Sequence, residues 1–238
     1  MRIALMIIRN ILLVPYYVFK IYWLGKHKGI DAAFSYIKKI AKIANRSGRV
    51  KIEAKGLENV PEKNGFVIFP NHQGLYDVLV FFDSFPRPFS FVAKKEVKNF
   101  PIVKQVMHAL KAIPIDRKDL RQSMNVIKEM TERVANGENF LIFAEGTRSK
   151  MGNKMNEMKG GSFKSAVKAK APILPCALMD SFVPFDENSI RKVTVKVRYL
   201  KPIYYEEYKD MSTSEIATFV KSRIEEAIAL ETDARTAK

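Results

Sequence analysis

The turn Asn71-His72-Gln73-Gly74-Leu75-Tyr76-Asp77 carries a histidine and an aspartate with four residues between them, a His-X4-Asp spacing. A neutral histidine held by a carboxylate is a general base suited to neutral pH. The carboxylate can hold one imidazole nitrogen and leave the other facing a substrate. The same pair also fits a histidine that caps a helix beside a nearby aspartate. No serine or cysteine nucleophile adjoins the pair in the chain, so the group it would deprotonate is a hydroxyl on the substrate. Two further polar clusters bear cations. Glu145-Gly146-Thr147-Arg148 offers a glycine for close backbone approach, a hydroxyl and a guanidinium fork, and Arg117 follows Asp116. These are tools for holding phosphate. Glu145 with an arginine also reads as an ion pair that stabilises a strand end. Lys94 and Lys95 could add charge, because a phosphomonoester carries close to two negative charges.

Each cluster follows an apolar run of strand length. Phe66–Pro70 precedes His72, with Val78 to Phe82 continuing a helix that carries Asp77. Residues 89–93 precede Lys94. Ala112–Ile115 precedes Asp116, and Phe140–Phe143 precedes Glu145. Ligands of open α/β folds bind outside strand ends, so the clusters could converge on one cleft. Further strands are expected at 50–54 as an edge, at 172–178, and at 193–199 with Thr194, Lys196 and Arg198 on its outer side. A helix is expected from Pro101 to Leu110. Leu120, Met124, Ile127, Met130 and Val134 form the inner stripe of another, stopped by Gly137. Residues 160–170 read as a short helix with Phe163, Ala166 and Val167 inward. Ser212 and Glu215 form a capping box before a last helix to about Leu230, with a frayed tail beyond. The expected class is α/β, a mixed, mostly buried sheet flanked by helices.

The chain has 238 residues, 47% of them hydrophobic, enough for one sizeable core. The single cysteine, Cys176, excludes an internal disulfide and, in its apolar run, reads as buried and inert. No spacing suggests a metal site. The formal net charge is +16, and residues 1–50 hold ten basic residues against the single acid Asp31. Residues 3–24 are largely apolar but interrupted by Arg9, Asn10, Pro15 and Lys20, with Tyr16, Tyr17, Tyr22 and Trp23 of the kind that settle at headgroup depth. No small-residue cleavage site follows, against a signal peptide. Ile30, Ala33, Phe34, Ile37, Ile40, Ala41 and Ala44 recur at helical spacing among lysines. A basic amphipathic helix beside an apolar one points to an anionic membrane surface. A transmembrane span and plain packing on the core are the other readings. We therefore divide the chain into a membrane-associated helical pair at 1–48 and a domain at 49–238. A nucleic-acid-binding module is disfavoured, since the basic excess sits on apolar helices and not on a polar groove with stacking aromatics.

Four segments together carry a family resemblance: Asn71 to Asp77, Ile113-Pro114-Ile115-Asp116-Arg117, Phe143 to Ser149, and Pro172-Ile173-Leu174-Pro175. In order and spacing they resemble the four blocks of the glycerolipid acyltransferases, most closely the lysophosphatidic acid acyltransferases of bacterial phospholipid synthesis. The resemblance implies transfer of a fatty acyl group to the sn-2 hydroxyl of lysophosphatidic acid, giving phosphatidic acid. Glycerol 3-phosphate or another lysophospholipid is the alternative acceptor. It implies His72 as base, Asp77 as its partner, and Arg117 with Glu145, Gly146, Thr147 and Arg148 as the phosphate site, with Lys94 near it. It implies no resident cofactor, acyl-CoA or acyl-carrier protein as donor, and a cell-membrane location, peripheral or monotopic, with the site near the cytoplasmic face. Oligomeric state is left open. One departure is visible: the third block begins Phe143-Ala144 where many members have Phe-Pro, which removes a turn-stiffening residue and no reactive group.

Overall fold

A computed structural model of the protein describes residues 1–116 and 119–236. The chain opens with three helices, α1 (Arg2–Ile8), α2 (Val14–His27) and α3 (Gly29–Ser47). The apolar stretch 3–24 is thus two helices. Pro15 sits in the first turn of α2, where its missing N–H costs nothing, and so starts that helix instead of kinking one. No helix among the described residues is long and apolar enough to cross a membrane.

Alternation follows: β1 (Val50–Lys55), β2 (Val67–Pro70), α4 (Asp77–Ser84), β3 (Ser90–Lys94), α5 (Pro101–Ala109), β4 (Ile113–Ile115), α6 (Leu120–Ala135) and β5 (Phe140–Leu141). The second half runs α7 (Lys164–Ala169), β6 (Ile173–Met179), α8 (Val183–Asp186), β7 (Val193–Tyr199), α9 (Tyr205–Tyr208) and α10 (Thr213–Thr236). The seven strands form one sheet in the order β1-β7-β6-β2-β5-β3-β4. β6, β2, β5, β3 and β4 are mutually parallel, while β7 runs antiparallel to β6 and parallel to β1. The sheet is therefore mixed, with β1 at one edge.

Side chains of a strand alternate between faces, and here both faces are covered. Phe66 and Ile68 join Leu174, Cys176 and Leu178 in one cluster, beneath α3, α4 and α5. Val67 and Phe69 join Phe140, Ile173 and Ala177 in the other, beneath α6, α7 and α10. This is why 172–178 reads as an unbroken apolar run. Cys176 is fully buried, and burial pushes its thiol well up, consistent with an inert role. α3 buries Ala33, Phe34, Ile37 and Ala41 in the same cluster as the sheet. Burying one such phenylalanine contributes roughly 1.5–3 kcal/mol.

Three expectations are corrected. Met124 of α6 is exposed, and Val126 joins Met130 and Val134 in the core instead, because the helix is turned slightly from the expected stripe. Arg198 on β7 is buried: Glu53 of β1 and Glu231 of α10 neutralise it at 2.6 Å each. The last helix runs to Thr236, past the expected frayed end. Its capping box is present, with Ser212 N–H donating to Glu215 Oε2 at 2.7 Å and Glu215 N–H to Ser212 Oγ at 3.2 Å.

Candidate active site

Parallel strands end on the same side. The carboxyl ends of β2, β5, β3, β4 and β6 therefore bring the His72 turn, Glu145 to Arg148, Lys94, Asp116 and Ser181 to one edge of the sheet. His72 and Asp77 meet there: imidazole Nδ1 lies 2.7 Å from Asp77 Oδ2. Asp77 is fully buried as the first residue of α4. Its carboxylate gathers three more donors. Gln73 N–H donates to Oδ2 at 2.7 Å, Gly74 N–H at 3.1 Å, and the Ser181 hydroxyl to Oδ1 at 2.7 Å. A carboxylate so held cannot swing away from the imidazole.

His72 is itself clamped. Its N–H donates to Glu145 Oε1 at 2.6 Å, its carbonyl accepts from Ser149 N–H at 2.8 Å, and its ring stacks on Phe143 at 4.1 Å. The side chain keeps 18% exposure. Among the described residues no side chain hydrogen-bonds its second nitrogen. From behind, the Tyr76 hydroxyl donates to Asn45 of α3, and Asn45 Nδ2 donates to Asp83 Oδ2 at 2.7 Å. The N-terminal helices thereby reach the residue next to Asp77.

The expected phosphate residues separate into different roles. Arg117 lies outside the described residues. Glu145 is corrected: it is buried, and its two oxygens accept the N–H groups of His72 and of Asn156, the latter at 2.8 Å. Burial pushes its carboxyl up while the two backbone donors pull it down. It ties two loops together and presents no cation to a phosphate. Gly146 adopts φ +78°, a left-handed conformation that favours glycine. Thr147 is exposed beside it. Arg148 Nη1 stands 3.5 Å from Asp186 Oδ1. A Cβ on Gly74 would come within 3.1 Å of Asp186 Oδ2, which puts the arginine's partner against the His72 turn. Lys94 ends β3 and pairs with Glu96 at 3.5 Å, and Lys95 pairs with Asp116 at 2.6 Å.

Ser181 escaped the sequence reading. It is 104 residues from Asp77, and no local spacing marks it. Only its place just after β6, at the shared strand edge, points to it. It also faces Gln73, whose Oε1 accepts the Ser181 N–H at 2.9 Å, while Gln73 Nε2 donates to Asn153 Oδ1 at 2.8 Å.

The chain belongs to the acyltransferase family, whose model matches residues 51–179. It is 30% identical over 196 residues to a probable 1-acyl-sn-glycerol-3-phosphate acyltransferase of Mycoplasma genitalium, covering 76% of this chain and 72% of that protein. It is likewise 30% identical over 158 residues to the 1-acyl-sn-glycerol-3-phosphate acyltransferase of Borreliella burgdorferi, covering 66% of this chain and 63% of the relative. The fold matches that of the 1-acyl-sn-glycerophosphate (LPA) acyltransferase PlsC of Thermotoga maritima, with TM-score 0.76, 23% identity and 98% of both chains covered.

Proposed function

We propose that this acyltransferase moves a fatty acyl group from a thioester donor to the sn-2 hydroxyl of lysophosphatidic acid, giving phosphatidic acid for phospholipid synthesis. The observation that carries the mechanism is the dyad: His72 Nδ1 on Asp77 at 2.7 Å, with the other ring nitrogen unclaimed among the described residues. Among the described residues the one hydroxyl placed on the pair, that of Ser181, is buried and sits on the carboxylate. The attacking oxygen therefore belongs to the substrate. Its proton passes to His72 Nε2 as it attacks the thioester carbonyl, and Asp77 stabilises the imidazolium. Collapse of the tetrahedral species expels the thiolate, which takes the proton from His72. No acyl-enzyme forms.

The names of the relatives and the arginine turn support a phosphorylated acceptor, held by Arg148 with Arg117, by the Gly146–Thr147 turn, and by Lys94 at the rim. The donor, acyl-CoA or acyl-carrier protein, enters as a substrate, and the reaction calls for no resident cofactor. Docking on the membrane from the cytoplasmic side, peripherally or monotopically, suits an acceptor that resides there. The exposed apolar residues of the first two helices and of the turn between them support it: Leu12 in the turn is 90% and Phe19 of α2 61% exposed, with Tyr16, Tyr22 and Trp23 also on α2. Purified protein given acyl-CoA or acyl-carrier protein and a panel of acceptors tests the reading. Lysophosphatidic acid should give the highest kcat/KM, ahead of glycerol 3-phosphate and lysophosphatidylcholine. A pre-steady-state burst of acylated protein would rule out direct transfer.

A further inference from the structure

We propose that Lys159 is a binding residue for the acceptor's phosphate, reaching the site across the open face of Gly146. This rests on the lysophosphatidate reading above. A Cβ placed on Gly146 would lie 3.1 Å from Lys159 Nζ and 3.3 Å from its Cε. The end of the lysine side chain thus occupies the space that any other residue at 146 would fill, two positions before Arg148. The glycine serves twice: it adopts φ +78°, and it admits a cation.

The backbone that delivers this cation has little freedom. Lys159 N–H donates to Ala144 O at 3.0 Å, and Ser162 N–H donates to Lys159 O at 3.0 Å. Met155 and Met158 are buried on the same segment. A Cβ on Gly160 would touch the backbone of Thr213 and Ser214 at 3.0 Å, so this stretch lies against the start of α10. Asn156 N–H meets Glu145 Oε2 at 2.8 Å, which ties the segment to the turn that clamps His72.

Charge bookkeeping favours the assignment. A phosphomonoester brings nearly two negative charges. Arg148 shares its charge with Asp186, Lys94 with Glu96 and Lys95 with Asp116. Among the described residues no acid pairs with the Lys159 ammonium, so it meets an incoming phosphate without first giving up a partner.

Steady-state kinetics of the full chain, its Lys159→Met and its Lys159→Arg variants decide the matter, with lysophosphatidic acid and the phosphate-free 1-monoacylglycerol as acceptors. The methionine variant should raise KM for lysophosphatidic acid about tenfold. Its donor KM, its kcat and any monoacylglycerol turnover should stay within about twofold. The arginine variant should restore most of the acceptor affinity. Should the methionine variant fail to fold, Lys159→Gln carries the same expectation. An unchanged acceptor KM, or a rise confined to the donor, overturns the role of Lys159 while leaving the function reading intact. A wild-type protein inactive on lysophosphatidic acid overturns both.

Discussion

At the residue scale the site is a histidine whose freedom has been removed from four sides. Asp77 holds Nδ1, Glu145 and Ser149 hold the backbone on either side, and Phe143 stacks on the ring. His72→Ala should lower kcat by about 10²–10⁴-fold with an unchanged circular dichroism spectrum, since general-base catalysis is worth that much. Asp77→Asn should be comparably impaired, because an amide can present its N–H to the ring and favour the wrong tautomer. Near-normal turnover in either would remove the base assignment. Ser181 belongs to the same unit as a positioning residue. Its single proton has two acceptors within reach, Asp77 Oδ1 at 2.7 Å and Gln73 Oε1 at 2.8 Å, and the carboxylate is the stronger. Ser181→Ala should cost about tenfold in kcat with little change in acceptor KM, and should displace the acidic limb of the pH–rate profile. A variant that altered only thermal stability would show Ser181 to be structural alone.

At the element scale, two features join parts far apart in the chain. α3 reaches the dyad through Asn45 and Tyr76, so the N-terminal helices support the site as well as the sheet. α10 is bolted to β7 at its far end, where Glu231 accepts from Arg198 Nε at 2.6 Å and from Lys196 Nζ at 2.7 Å. The Arg198 bond, helped by Lys196, pulls the Glu231 carboxyl down to about 2. With a folded value below the unfolded one, its stabilisation is complete above the ordinary carboxylate range and fades as pH falls towards about 2. The carboxylate retains 21% exposure, so solvent screening trims the effect to about 1–2 kcal/mol. Glu231→Gln should lower stability by that amount at neutral pH, and urea melts of the two proteins should converge only as pH falls through about 2. A constant gap across pH would remove the ion pair as the cause.

At the scale of the whole molecule, the strand-end edge carries the His72–Asp77 pair and the first helices, with the turn between them, carry the exposed apolar surface. Phe100 and Ile102, at the start of α5 which packs along α2, extend that surface. With Arg9, Lys26, Lys28, Lys39, Lys42, Arg46 and Arg49 exposed in the first fifty residues, it combines the two attractions an anionic bilayer offers. The protein should cosediment with vesicles containing phosphatidylglycerol, less so as salt is raised, and weakly with uncharged vesicles. Leu12→Ser with Phe19→Ser should reduce binding about tenfold or more while leaving the melting temperature within a few degrees. Equal binding by the double variant would place the docking surface elsewhere. Because α3 buries Phe34 and Ile37 in the sheet's own cluster, removing residues 1–48 should also destabilise what remains.

What the sequence by itself determined is local. Short-range spacing marked the His-X4-Asp turn, the strands before each polar cluster, the capping box at Ser212 and the burial of Cys176, because each depends on neighbours within a few positions. The α/β class followed from their alternation. The tertiary structure decided whatever depends on partners far along the chain. Glu145 became a loop tie because β5 lies beside β2, and Arg198 became a buried ion pair because α10 brings Glu231, and β1 brings Glu53, to β7. Ser181 reached Asp77 across 104 residues because β6 runs parallel to β2 and ends at the same edge. A side chain's charge and length are written in its own residue, but whether that charge meets a backbone N–H, an arginine or a substrate is set by which strand ends adjoin it in the sheet.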